Sequence, residues 1–175
     1  GGGVGALATP LVLLVLPGPT ALSLTLPILL SCDLMTLRHF NKEWDKPAVR
    51  ALAPWMGGGL LVGLWLLILL ARQGGAGDLW IRFVAGTVVV VLAAIGAFFG
   101  KSRPAKRPHA GIAAATGLVC GITTMVAHAA GVLLNLYLLA RRPTPQSFVG
   151  TSTRMYLTFN FIKLPLFALA TPLAG

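Results

Sequence analysis

The sequence predicts an all-α fold: a polytopic transmembrane helix bundle with two inverted repeats and short broken or re-entrant segments. Three observations carry this expectation. Of 175 residues, 56% are hydrophobic and only 10% charged, with a mean hydropathy of +0.83, against about 25% charged residues in an ordinary soluble domain. Four long windows contain no Asp, Glu, Lys or Arg, and about 20 apolar residues suffice to cross a hydrocarbon core of roughly 30 Å. The chain also aligns with itself, weakly but in register, at an offset of 126.

Two of the windows, residues 51–71 and 83–100, have the length of one span each. Both carry small-residue spacing, Gly59 with Gly63 and Gly96 with Gly100, which lets helices approach closely. Residues 1–32 and 110–140 are too long for one span and too short for two with a turn. Each therefore divides into a long and a short piece. The first breaks at Pro17-Gly18-Pro19, leaving a short segment over 5–16 and a helix over 20–37. The second breaks near His128 to Gly131, leaving a helix over 110–127 and a short piece over 132–140. A last helix is expected over 147–168, which makes five helices long enough to span.

The offset of 126 aligns Gly5 with Gly131, Leu7 with Leu133, Pro17-Gly18-Pro19 with Pro143-Thr144-Pro145, and Thr25 with Thr151. It places the two short segments in register. An odd number of membrane segments separates equivalent points, so a second copy enters the membrane from the opposite side, as in transporters built on inverted repeats. The expected division is a first repeat over 1–100, a basic cytoplasmic loop over 101–109, and a second repeat over 110–175 shortened at its C-terminus.

Charge sets the orientation. Fourteen Lys and Arg against four acids give a net charge of +10, but the basic residues fall between apolar runs and form no patch interleaved with aromatics, so nucleic acid is not an expected partner. Arg38, Lys42, Lys46 and Arg50 mark one loop, and Lys101, Arg103, Lys106 and Arg107 mark another. The intervening loop is read as holding only Arg72 and Arg82 with Asp78. By the positive-inside rule the two basic loops are cytoplasmic. The Pro17 turn then lies outside and Arg141-Arg142 inside, in a multi-pass protein of the cell membrane, a bacterial plasma membrane by expectation.

Cys32 and Cys120 lie far apart in apolar surroundings, with no CxxC and no neighbouring His, which is neither a disulfide framework nor a zinc site. No metal and no cofactor is expected. Gly1 stands where an initiator Met is usual, and no charged n-region precedes the apolar start. The chain is expected to be a piece of a longer protein, continuing past Gly175 with a Gly-rich helix like residues 51–71.

Several stretches resemble the sulfite exporter family of the TauE/SafE type over almost the whole chain. They are Gly1-Gly2-Gly3-Val4-Gly5 to Pro10, Ser31-Cys32-Asp33 to Trp44-Asp45, and Pro54 followed by Gly57 to Gly63. In the second half they are Gly117 to Gly121, Leu136-Tyr137-Leu138-Leu139, and Phe148-Val149-Gly150-Thr151 to Asn160-Phe161-Ile162-Lys163-Leu164-Pro165. One departure stands out, since Ala127-His128-Ala129-Ala130-Gly131 occupies the place of several glycines in many members. The resemblance implies a transporter of small sulfur-containing anions such as sulfite or sulfonates, with the lipid bilayer and a small anion as partners. The alternatives are a permease for another small solute and a non-transporting membrane assembly subunit.

The candidate substrate-binding residues are Gly2, Gly3, Gly5, His128, Gly131, Thr151, Thr153, Tyr156, Asn160 and Lys163. The early glycines expose amides at the start of a short helix, where anions are attracted, or they serve helix packing. Thr153, Tyr156, Asn160 and Lys163 follow spacings of three, four and three, forming one polar stripe on the last helix. The stripe either lines a cavity or bonds a neighbouring helix. Lys163 either neutralises an anion or snorkels to the interface, and Arg154 is expected to snorkel inward. Asp33, sharing a face with Thr36 near the inner helix end, is read either as part of an interfacial ion pair with Arg38 and His39 beyond it, or as a proton-coupling candidate. His128, alone in a charge-free run, is functional by the default that applies to intramembrane ionisable groups. No enzyme is expected: HExxH, GxSxG and Walker patterns are absent, and Gly150-Thr151-Ser152-Thr153 lacks the Lys and the strand of a phosphate loop.

Overall fold

The computed structural model describes residues 8–9, 11–40, 42–73, 75–99 and 108–170. Their regular structure is helical: α1 (Gly18–His39), α2 (Lys46–Ala71), α3 (Gly75–Phe99), α4 (Ala110–Ala127), α5 (Gly131–Ala140) and α6 (Pro145–Ala170). Residues 8–9 and 11–13 are helical as well, ahead of a turn at 14–15. The chain is an all-α membrane bundle. Four helices are long and apolar enough to cross a bilayer: Thr20–His39, Lys46–Leu70, Ala76–Phe98 and Ala110–Ala127. The fifth expected span, α6, has the length, 26 residues, but not the uniform apolarity. Its polar stripe is instead covered by protein.

Helix starts follow local chemistry. Proline sits in the first turn of α1 and of α2, where the missing N–H would have had no partner and the fixed φ suits a helix. Asp45 caps α2, its Oδ1 accepting from the Ala48 amide at 2.9 Å. The start of α3 corrects the sequence reading. Asp78 and Arg82 lie inside the helix, not in a loop, because they pair with each other one turn apart at 2.8 Å, while Arg82 Nη2 also donates to the Leu16 carbonyl at 3.1 Å. The pair lets α3 begin eight residues before the charge-free window opens.

The closest helix pair is α2 with α4, which run parallel. A Cβ on Gly59 would clash with the Leu118 carbonyl oxygen, and one on Gly121 with the Met56 carbonyl oxygen. The two glycine pairs Gly59/Gly63 and Gly117/Gly121 thus let backbone touch backbone, the arrangement expected where lipid offers no hydrophobic drive for association. Around them Leu52, Met56, Leu60, Cys120, Met125 and Leu134 form the core. Trp55, Trp65, Trp80, Phe83, Val90 and Phe98 face outward, as lipid-facing side chains do.

At the basic end of the bundle, the segment joining α1 to α2 is fastened to the α5–α6 turn. Arg141 binds Asp45 through two nitrogens, at 2.7 and 3.2 Å, and the carboxylate holds the guanidinium pKa above its already high ordinary value. The Asp45 amide donates to Thr151 Oγ1 at 2.8 Å, Thr144 bonds Glu43 at 3.2 Å, and the Trp44 ring lies under Lys46 Nζ at 5.7 Å and Arg154 Cζ at 5.0 Å. Arg154 therefore does reach back toward the basic end, as expected.

Candidate functional site

The chain breaks where the sequence indicated. Helix α4 ends at Ala127, and His128 takes a left-handed conformation, φ 52 and ψ 27, that lets the amides of His128 and Ala129 bond the Thr124 and Thr123 carbonyls at 3.2 and 3.4 Å. Two residues later α5 begins at Gly131 and runs back to Arg141, beside Asp45 at the basic end. Ten residues of helix rise about 15 Å, half of a core of roughly 30 Å, so α5 is too short to cross on its own, and the break is buried inside the bundle, with His128 only 4% exposed. There α5 presents first-turn amides that have no intrahelical carbonyl to bond, a place where non-helical backbone survives only if protein buries it or a wet cavity meets it.

Across the break lies α6, whose stripe is buried as a whole: Thr153 is 2% exposed, Tyr156 7%, Asn160 6% and Lys163 0%. Lys163 does not snorkel. Its Nζ donates to the Thr124 carbonyl and to Thr124 Oγ1, both at 3.1 Å, because an ammonium held at this depth needs oxygen acceptors and the last turn of α4 supplies two. Tyr156 donates its hydroxyl to Asn135 Oδ1 at 2.9 Å, with the Gly131 carbonyl at 3.4 Å. Asn160 donates to Asp33 Oδ2 on α1 at 2.9 Å.

Asp33 corrects the interfacial reading. It is fully buried, whereas Arg38 is exposed and His39 turns its Nδ1 to the Met35 carbonyl at 3.0 Å. The reason is that α1 and α6 run antiparallel in contact, so Asp33 meets the amide of Asn160 before it reaches the basic end. The His128 ring stacks on Phe167, with centroids 6.3 Å apart and planes 12° apart. Among the described residues neither ring nitrogen of His128 has a hydrogen-bond partner.

A cavity of about 10 Å³, the space of one water, lies between these groups, lined by Leu29, Thr124, His128, Ala130, Gly131, Tyr156 and Asn160. The fold thus brings together five of the expected site residues, His128, Gly131, Tyr156, Asn160 and Lys163, with Asp33 behind them. Thr153 is buried on the same helix face. Thr151 is elsewhere, bonding the Ser147 carbonyl at 2.6 Å and the Asp45 amide at the basic end. Gly2, Gly3 and Gly5, like the basic stretch 101–107, lie outside the described residues. Sequence reasoning missed Thr124 and Asn135. The signal was present, since a Thr pair at 123–124 and an Asn at 135 are hydrogen-bonding side chains flanking the break in an apolar run.

This arrangement of a buried helix break, first-turn amides without intrahelical acceptors and buried donors suits a small anion. The oxygens best placed to hold a cation are already engaged, the Thr124 carbonyl and hydroxyl by Lys163 and Asp33 Oδ2 by Asn160. No group of three or more His, Cys, Asp or Glu able to hold a metal exists among the described residues. No match to the chain was found among curated proteins or among solved structures. The family model for the sulfite exporter TauE/SafE matches residues 1–175, and the chain accordingly belongs to that family of multi-pass membrane transporters.

Proposed function

We propose that the protein moves small sulfur-containing anions, sulfite, a sulfonate or a similar oxyanion, across the cytoplasmic membrane, and that the anion binds at the α4–α5 break. The observation that carries this reading is the convergence on one small cavity of the α5 N-terminus, His128, Tyr156 and Asn160, with the Lys163 ammonium one residue behind at Thr124. An anion there gains backbone amides, whose dipoles favour negative charge, and a nearby cation. Gly2, Gly3 and Gly5 belong to this proposal as the counterpart, in the first repeat, of Gly131.

The two-repeat organisation is part of the same proposal. Its support is that α1 and α6 both begin at a Pro-x-Pro, and that Thr25 and Thr151 bond carbonyls four residues earlier, those of Ala21 at 2.7 Å and Ser147 at 2.6 Å, which are themselves 126 positions apart. The contact of α1 with α6 is antiparallel, as inversion requires. Alternating access then opens the break to either side in turn, and the Asp45–Arg141 clasp closes the cytoplasmic end. Exchange of radiolabelled sulfite in proteoliposomes tests the function. Saturable exchange above that of protein-free vesicles is expected; none for sulfite, with flux of an unrelated solute, would move the protein to the permease alternative.

A further inference from the structure

The imidazole of His128 is 4% exposed, lines the cavity, and has both ring nitrogens without a hydrogen-bond partner among the described residues. A neutral imidazole carries one N–H donor and one acceptor nitrogen, and leaving both unmet in the interior is costly. Backbone geometry does not explain the residue. At φ 52 a glycine sits without steric penalty, and Asn, Asp and His are the side chains most often met there, so the conformation tolerates a histidine but does not require one.

The other groups facing His128 have their bonds assigned. From α6, Lys163 bonds Thr124 and Tyr156 bonds Asn135; from α1, Asp33 accepts from Asn160; from α4, the Cys120 thiol donates to the Ala130 carbonyl at 3.6 Å. An oxyanion that enters brings negative charge into a poorly hydrated site. Protonating His128 supplies one positive charge and turns its acceptor nitrogen into a second donor.

We propose that His128 takes up a proton from water as an oxyanion occupies the cavity and returns it to water on the other side as the anion leaves, so that anion and proton cross together. The inference rests on the anion reading given above. No bond other than N–H forms or breaks, and no electron is transferred. Coupling falls to His128 and not to Asp33 because the imidazole lines the cavity while the carboxylate lies behind Asn160.

The test uses the intact chain in proteoliposomes with the membrane potential clamped at zero and radiolabelled sulfite at alkaline pH, where sulfite is a dianion on both sides. Exchange at equal pH reports the anion reading; the steady-state ratio under a one-unit pH gradient reports coupling. The wild type is expected to accumulate sulfite in the more alkaline compartment, approaching about tenfold for one proton per anion. His128→Asn, at ease in a left-handed conformation, is expected to reach a ratio near one at whatever rate it exchanges, and His128→Gly is the second variant. Wild-type exchange without accumulation overturns the inference and leaves the anion reading standing. So does accumulation that survives in both His128 variants, or that is lost in Asp33→Asn but kept in His128→Asn. Loss of all exchange in both folded His128 variants makes the ring an obligatory anion ligand and overturns the coupling role. Absence of exchange in the wild type removes the anion reading, and this inference with it.

Discussion

Asn160 donates a 2.9 Å hydrogen bond to Asp33, joining α6 to α1 across 127 positions of sequence. Both residues are buried, at 6% and 0% exposure, so neither can exchange the bond for one to solvent. The contact therefore links the polar stripe of one proposed repeat to the one buried acid of the other.

Asn160→Ala removes a donor from a buried carboxylate and is expected to destabilise the folded protein by about 1–3 kcal/mol, a fall in Tm of several degrees for a chain of this size. Thermal unfolding in detergent measures it. An unchanged Tm would mean that Asp33 finds an equivalent donor without Asn160.

Helix packing at the glycines gives a paired expectation. A Cβ on Gly121 would press on the backbone of α2, while one on Gly58 would meet nothing within 4 Å. Gly121→Ala is expected to cost about 1–3 kcal/mol through overpacking, and Gly58→Ala to raise stability by about 0.5–1 kcal/mol, since Ala is the better helix former and its Cβ meets nothing. Equal Tm values for the two variants would contradict the α2–α4 contact.

The clasp at the basic end is testable by a double-mutant cycle. Asp45 both caps α2 and binds Arg141, so Asp45→Ala should cost more than Arg141→Ala, by about 1 kcal/mol for the lost cap. The coupling between the two substitutions is expected at about 1 kcal/mol, since the pair is bidentate and its side chains are only 20% and 18% exposed. Additive effects in thermal or denaturant unfolding would show that the ion pair contributes nothing.

Inversion of the two halves makes an accessibility prediction. Thr20 and Gln146, both exposed and each near the start of its helix, should lie on opposite sides of the membrane. With Cys32 replaced, Thr20→Cys should react with a membrane-impermeant thiol reagent added outside, and Gln146→Cys only after the cytoplasmic face is opened. Labelling of both from one side would contradict inverted repeats.

How much was legible follows from which physics is local. The bounds of α4 and the break at His128 could be read because helix length, glycine and the single ionisable group coincide there. The starts of α1 and α6 could be read from Pro-x-Pro. The start of α3 could not, because a search for charge-free windows excludes an Asp78–Arg82 pair that neutralises itself within the helix. The partners of Asp33 and Lys163 were equally hidden. Periodicity shows that Asn160 and Lys163 share a face, but which helix lies opposite depends on packing between segments far apart in sequence. Thr151 shows the converse, since its match to Thr25 at the offset of 126 is visible in sequence while its bond to the Asp45 amide appears only once the chain is folded.

The most direct test of the account is the flux of labelled sulfite through Lys163→Met beside Arg72→Gln and the wild type. Lys163 is fully buried at the break and Arg72 is exposed at the end of α2. Removing one charge partner from a poorly hydrated site typically costs about 2–5 kcal/mol, so the account predicts a loss of about 30-fold or more in sulfite exchange for folded Lys163→Met, with Arg72→Gln close to wild type. Equal exchange by all three proteins would contradict an anion site at the α4–α5 break.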